Sequence, residues 1–253
     1  MTYEGAKYKE LFELLKTKLN TKEEYIKEVI DNIIFILIER RKTEEVDNKK
    51  LEEFTNYAKE IMTDVYEDYL DRSNSKNNIT EDIEYISSGF TTIAFRVGDN
   101  VMKIGKSEHS LNQPKLDTIF QVPTYIRENH KLNNKTHFRI EVSPYVDTNN
   151  ISYEEVYQTY KNIRNLGYIW NDPKEENIGR ITNLSSCKIG NKTYYPKHDY
   201  KQGDLVIIDL DDIAYVGEFT SDIILEEISM MSYNRNVYRF ETRYMEEKNK
   251  QRQ

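Results

Sequence analysis

Three short passages of the sequence carry the side chains best suited to chemistry. In Gly167-Tyr-Ile-Trp-Asn-Asp-Pro-Lys-Glu-Glu-Asn-Ile-Gly-Arg-Ile181, Asp172, Lys174 and Asn177 stand at relative positions 0, +2 and +5. Further on, Asp204-Leu-Val-Ile-Ile-Asp-Leu-Asp-Asp212 places Asp209 at the end of an apolar run, and upstream Val101-Met-Lys103-Ile sets a lysine inside a β-like segment. Carboxylate and amide oxygens are hard ligands of the kind Mg²⁺ prefers, a lysine neutralises phosphate, and a carboxylate can take or orient the proton of a hydroxyl. Singly, each match is weak. An Asp-x-x-x-x-Asn spacing is frequent by chance, and a strand lysine is usually a solvated edge residue. Their order along the chain is what carries information.

The elements that must position these residues are legible in the same sequence. Tyr8, Leu11, Phe12, Leu15 and Leu19 recur at helical spacing, and Thr21-Lys-Glu-Glu24 is a capping box that opens a second helix with Ile26, Val29, Ile30, Ile33 and Leu37 on one stripe. After a polar break at 43–48, Leu51, Phe54, Ala58, Ile61 and Val65 mark a third helix. The three helices must bundle together or pack on the downstream chain, since each has one side to bury. Arg72-Ser-Asn-Ser-Lys-Asn-Asn78 has no apolar residue and several turn formers, so a domain boundary is expected there.

From Glu84 to Lys106 β-branched and aromatic residues dominate, and Val97-Gly-Asp-Asn100 predicts a hairpin between two strands. Further strands are expected at Gln121–Arg127 and His137–Val142, giving a mostly antiparallel five-stranded sheet. Ser152-Tyr-Glu-Glu155 is a second capping box, opening a helix with Val156, Tyr160 and Ile163 that Gly167 ends.

With the elements in this order, the chain resembles the eukaryotic-like protein kinase superfamily, which also includes small-molecule phosphotransferases, over about residues 80 to 215. Asp172-Pro-Lys174-Glu-Glu-Asn177 is similar to the catalytic loop Asp-x-Lys-x-x-Asn, Asp209-Leu-Asp stands at the place of the metal-binding Asp-Phe-Gly, and Val101-Met-Lys103 resembles the strand motif Val-Ala-x-Lys. The resemblance implies an α+β, two-lobe fold: a helical extension at 1–72, a kinase-like N-lobe with an antiparallel sheet at 79–147, and a reduced helical C-lobe at 148–253. It implies ATP and Mg²⁺ as cofactors. Lys103, with the phosphate turn Ser87, Ser88, Gly89, Thr91 and Thr92, would hold the phosphates, and Pro144, Tyr145 and Val146 would form the interlobe hinge whose backbone takes adenine. Asn177 and Asp209 would hold Mg²⁺, Asp172 would orient the acceptor hydroxyl or accept its proton, and Lys174 would neutralise the migrating phosphoryl group. Lys174 also implies a protein Ser/Thr acceptor, since the small-molecule phosphotransferases usually carry His there.

The sequence departs from the family pattern in several places. Of three phosphate-loop glycines only Gly89 remains, and Ser and Thr hydroxyls beside it imply a stiffer or shallower lid, because a Cβ limits backbone approach. Trp170-Asn171 replaces the His-Arg pair before the catalytic Asp, which argues against activation by loop phosphorylation; Trp170 is expected in the core. After Lys103 little chain is left for the helix whose Glu pairs with the strand lysine, with Gln113-Pro114 interrupting it. Glu108 is the nearest carboxylate, or an N-terminal helix packs beside the sheet in that helix's place. Between Asn177 and Asp209 a long β-excursion containing Cys187 is expected. Asp211 is a second metal ligand or a turn cap. No Ala-Pro-Glu motif is present beyond it, and the stripe Ile224, Leu225, Ile228 and Met231 must supply most of the remaining lobe.

Composition bounds the function. The chain has 253 residues, 38% of them hydrophobic, enough for a sizeable core, and its single cysteine excludes an intrachain disulfide framework and a Cys-based zinc cluster. A cytoplasmic protein is expected. With a formal charge of −8 the chain is no general polyanion binder, so neither nucleic acid nor membrane is an expected partner. The longest apolar run, Ile33 to Ile38, is far short of the roughly 18 residues a span needs. His109, His130, His137 and His198 have no mutual metal-ligand spacing. The 20 tyrosines read as biased composition beside only nine glycines. The expected activity is an ATP- and Mg²⁺-dependent kinase acting on a protein substrate or partner, oligomeric state open. The alternatives are a small-molecule phosphotransferase acting on an aminoglycoside, choline or sugar-like alcohol, and a nucleotide-binding pseudokinase that serves as an interaction module.

Overall fold

The structure, a computed structural model, describes residues 3–19, 21–40, 46–74, 79–89, 91–107, 120–170, 172–209 and 213–215, with 242, 246, 249 and 250. Glu108, Gln113, Pro114, Asn171, Asp211, Asp212 and the stripe from Ile224 to Met231 lie outside these residues. In chain order the elements are α1 (Tyr3–Lys18), α2 (Lys22–Glu39), α3 (Asn48–Ser73), the single turn α4 (Ile79–Asp82), β1 (Ile83–Ser88), β2 (Thr92–Val97), β3 (Asn100–Ser107), β4 (Ile126–Lys131) and β5 (His137–Pro144). Then come β6 (Val146–Asp147), α5 (Tyr153–Asn165), β7 (Tyr168–Trp170), a 3-10 turn (Glu175–Asn177), β8 (Ile178–Ile181), β9 (Cys187–Ile189), β10 (Lys192–Tyr194), β11 (Leu205–Ile207) and β12 (Ile213–Tyr215). The architecture is mixed α+β. No described helix is long and apolar enough to cross a membrane.

The contacts divide the chain into two compact units. The first takes Met1–Leu111, Pro123–Tyr145 and Ser185–Lys197; the second takes Asn112–Val122, Val146–Leu184 and His198–Gln253. The boundary expected at 72–78 does not divide the packing. Phe12, Ile30, Ile33, Phe54 and Val65 of the helices share one core with Phe95, Met102, Ile104, Phe138 and Ile140 of the sheet. The reason is mutual need: helix stripes and an apolar sheet face each require cover, and here they supply it to each other. Thr21 caps α2 by accepting from the Glu24 N–H at 3.2 Å. Asp47, in the polar break, caps α3 through the N–H groups of Lys49 and Lys50.

The sheet of this unit has strand order β1-β2-β3-β5-β4, every pair antiparallel. Gly98 turns the β2–β3 hairpin at φ +58°, and a Cβ there would lie 2.2 Å from the Tyr69 ring, so the position demands glycine twice over. The strand expected at Gln121–Arg127 begins instead at Ile126, because Gln121 is bridged in parallel to Ile207 in the second unit. Sheet alternation settles which face the helices cover. Met102 and Ile104 point into the shared core, whereas Lys103 between them, its β2 partner Ala94 and its β5 partner Glu141 stand on the other face. The N-terminal helices therefore do not take the place of a helix beside Lys103.

Of the excursion between Asn177 and Asp209, the part from Ser185 to Lys197 carries the β9–β10 hairpin and belongs to the first unit, while β8 and β11 on either side belong to the second. The hairpin part is fastened to α3 by Asp64, which accepts from the Gly190 N–H at 2.9 Å, and by Arg72, which donates to Ser185 Oγ at 2.7 Å. In the second unit β11, β8 and β6 form one antiparallel sheet, β7 pairs with β12, and α5 packs through Val156, Tyr160 and Ile163 against Trp170, Ile178 and Ile207. Ser152 and Glu155 make both bonds of the expected capping box, and Glu155 also pairs with Arg180 of β8. Gly167, at φ +83°, ends the helix.

Candidate functional site

The second unit gathers Asp172, Lys174, Asn177 and Asp209. β7 delivers the chain to Asp172, and Pro173 keeps Asp172 from continuing into a helix, so the backbone runs extended through Lys174 (φ −152°, ψ 163°). The chain then reverses in the 3-10 turn, closed by the Asn177 N–H donating to the Lys174 carbonyl at 3.1 Å. That reversal carries Asn177, which is buried, back beneath Asp172. The Asn177 side-chain amide donates to the Asp172 carbonyl at 3.0 Å and to its carboxylate at 3.1 Å. With the nitrogen end so committed, Oδ1 is the end left to accept from a donor or to ligate a cation.

Asp209 is brought to the same place by strand pairing. β11 runs antiparallel to β8, with Ile207 opposite Ile178, and the Ile208 N–H donates to the Asn177 carbonyl at 2.9 Å. Asp209 is the next residue. Close packing of β8 on β6 depends on Gly179, where a Cβ would lie 2.3 Å from Val146 Cγ2.

Lys174 Nζ lies 2.5 Å from Asp172 Oδ2. Partial burial works against the lysine's charge, but the Asp172 hydrogen bond and the carboxylates of Asp172, Glu176 and Asp209 outweigh it and hold the ammonium above its usual range. The arrangement thus combines an ionised lysine, an oriented carboxylate, an amide oxygen and a second carboxylate. Such a set can accept or orient a hydroxyl proton and hold a hard cation. Among the described residues no group of three or more His, Cys, Asp or Glu is placed to hold a metal ion.

The first unit holds the remaining expected residues except Val146. Lys103 is half-buried at the middle of β3, on the face away from the helices. Its cross-strand neighbour Glu141, which carries no motif of its own in the sequence, also pairs with Arg127 at 2.5 Å and Arg139 at 3.6 Å. Only strand register reveals it. Ser87 and Ser88 end β1, Gly89 follows, and Thr91 leads into β2 at Thr92. Gly89 has no positive φ and open space where a Cβ would sit, so the fold itself does not require glycine there.

Of the expected hinge, Pro144 ends β5 and Tyr145 closes the first unit, while Val146 opens the second in β6. The Tyr145 N–H is committed to the Asp99 carbonyl at 2.7 Å, and its ring lies 4.3 Å from the Arg96 guanidinium. The Tyr145 amide is therefore not an open donor for an adenine edge. Trp170 is fully buried, the core residue expected of it. No protein-family model and no curated protein sequence matches the chain.

Proposed function

We propose that the chain is a compact kinase of two-lobe, protein-kinase-like build that transfers the γ-phosphoryl group of ATP to a protein Ser or Thr hydroxyl in the cytoplasm. The observation that carries this reading is the Asp172–Asn177 pairing, tied through the Ile208 N–H to the residue before Asp209. Phosphoryl transfer asks for little covalent help; it needs in-line positioning, charge neutralisation and an oriented acceptor. Asp172 orients the acceptor hydroxyl and takes its proton as the new oxygen–phosphorus bond forms. The bond from the γ-phosphorus to the bridging oxygen breaks, and ADP leaves with that electron pair. Lys174, a full cation beside Asp172, neutralises charge on the migrating group.

Asn177 Oδ1 and the Asp209 carboxylate are hard oxygens and fit Mg²⁺, which is commonly bound by one or two protein ligands together with substrate phosphates. When bound, the ion would neutralise phosphate charge. Lys103, with the turn at Ser87, Ser88, Gly89, Thr91 and Thr92, would steady the phosphates. The Tyr145 amide's commitment to Asp99 favours adenine contacts through Pro144 and Val146.

The test is transfer from γ-labelled ATP with Mg²⁺, offered generic protein substrates in one arm and aminoglycoside, choline and sugar alcohols in the other. Label on protein, lost in Asp209→Asn, supports the reading. Label on a small alcohol moves the chain to the small-molecule phosphotransferases. A Mg²⁺-dependent thermal shift with ATP and no transfer to either acceptor identifies a pseudokinase.

A further inference from the structure

The turn between β1 and β2 is fastened from three directions, one of them an N-terminal helix. It closes on itself through the Gly89 N–H donating to the Thr92 carbonyl at 2.9 Å, and it is tied to β3 by the Lys106 N–H donating to the Thr91 carbonyl at 2.8 Å. The third tie comes from Arg40, the C-cap residue of α2, whose Nη1 donates to the Gly89 carbonyl at 2.6 Å. Arg40 is itself held in place: its Nε donates to the Tyr8 hydroxyl at 3.1 Å, and its guanidinium carbon lies 4.9 Å from the Tyr8 ring centroid. Tyr8 and Phe12 of α1 in turn pack on the Tyr85 ring, and the Tyr85 hydroxyl donates to Ser88 Oγ at 3.0 Å.

We propose that Arg40 is a positioning residue for nucleotide binding, holding the Ser87–Thr92 turn in the geometry that receives the phosphates; the inference rests on the kinase reading above. A glycine-rich phosphate loop can adjust to its ligand because its backbone is free to do so. With Ser and Thr in place of two glycines this turn lacks that freedom, and a rigid binding element is effective only when it is placed correctly before the ligand arrives. The guanidinium is suited to this, since its planar fork can serve the Gly89 carbonyl and the Tyr8 hydroxyl from one side chain. Gly105 of β3, where a Cβ would lie 2.8 Å from Thr92 Oγ1, lets the turn approach the strand that carries Lys103. On this account the α1–α2 pair, already packed on the sheet through the shared core, also braces the phosphate turn.

Arg40→Ala tests this with two readouts on the full chain. Amide hydrogen exchange without nucleotide is expected to rise several-fold at Ser88–Thr92 and to stay unchanged in α5. The KM for ATP is expected to rise about tenfold, the scale of one charge-assisted hydrogen bond, with kcat within about twofold. Tyr8→Phe, which keeps the ring and removes the hydroxyl, is expected to give a smaller change in the same direction, and Arg40→Lys partial rescue. Turnover by the unsubstituted chain with an unchanged KM in Arg40→Ala overturns this proposal alone, as does unchanged exchange at the turn. Absence of nucleotide binding by the unsubstituted chain overturns the kinase reading and this proposal with it.

Discussion

Asn177 donates its side-chain amide to both the carbonyl and the carboxylate of Asp172, at 3.0 and 3.1 Å, five residues upstream. The pair locks the loop's reversal and fixes which end of the amide stays available. Asn177→Asp keeps the size, removes both donated bonds and sets a second carboxylate against the first. The introduced carboxyl would ionise only above its unfolded range of about 3.9, because the Asp172 charge opposes it. A group with a raised folded pKa costs nothing below its unfolded pKa and destabilises as pH rises through the folded one. The variant should therefore melt progressively further below the parent between pH 4 and pH 8, by about 2 kcal/mol at the upper end. A melting difference that does not change with pH contradicts this.

Two glycines should behave oppositely. Gly98→Ala places a Cβ at φ +58° and 2.2 Å from Tyr69, and is expected to cost about 3 kcal/mol or more in denaturant unfolding. Gly89→Ala meets open space at a backbone conformation any residue adopts, so stability should hold within about 0.5 kcal/mol. Any weakening of ATP binding in Gly89→Ala then reports close approach of the ligand to the turn. Equal stability losses in both variants would refute the contrast.

His130 gives the first unit an acid sensitivity. Its ring packs between Phe54, at 5.2 Å, and Tyr57, at 4.8 Å, and its Nε2 is buried without a hydrogen-bond partner. Burial lowers its pKa from 6.5, while Glu128, 3.8 Å away and itself accepting from the Tyr57 hydroxyl, opposes that shift without cancelling it. The unfolded chain thus binds the proton more readily than the folded one. This contribution is complete above about pH 6.5 and is lost as pH falls through the lower folded pKa. Melting temperature should drop from pH 7 to pH 5 more steeply in the parent than in His130→Gln; identical slopes would count against it.

Cys187 should be chemically quiet despite being the only thiol. Burial, reinforced by Asp68 and opposed by Arg72, pushes its pKa up to about 12, and the thiolate is the reactive form. Labelling by a disulfide reagent at pH 8 is expected to be at least about 100-fold slower in the folded chain than in denaturant. Rapid labelling of the native protein would show that the β9–β10 hairpin opens readily from α3.

The sequence makes the local features legible and leaves the packing partners hidden. The Ser152–Glu155 box, the Thr21 cap, the Gly98 hairpin and the order of the chemistry-bearing residues can all be read directly, because each depends on neighbours within a few positions. Asp172, Lys174 and Asn177 belong to this class, since one short loop holds all three. Glu141 opposite Lys103 and Arg40 against Gly89 cannot be found this way. Both depend on register or on contact between residues far apart in the chain. The same limit explains the helices: their apolar stripes require a partner, and only the sheet's alternation says which face they cover. Gln121 has a strand-like neighbourhood yet stays out of the five-stranded sheet, because its bridge partner, Ile207, is remote in sequence.

Whether Asp172 serves phosphoryl transfer from ATP is decided by measuring labelled phosphate transferred in the presence of Mg²⁺ by the parent chain and by Asp172→Asn. Transfer by the parent is expected, with a loss of about 100-fold or more in the variant, the scale of a positioned general base, and an ATP-induced thermal shift retained in both. Equal transfer by the two chains would contradict that role.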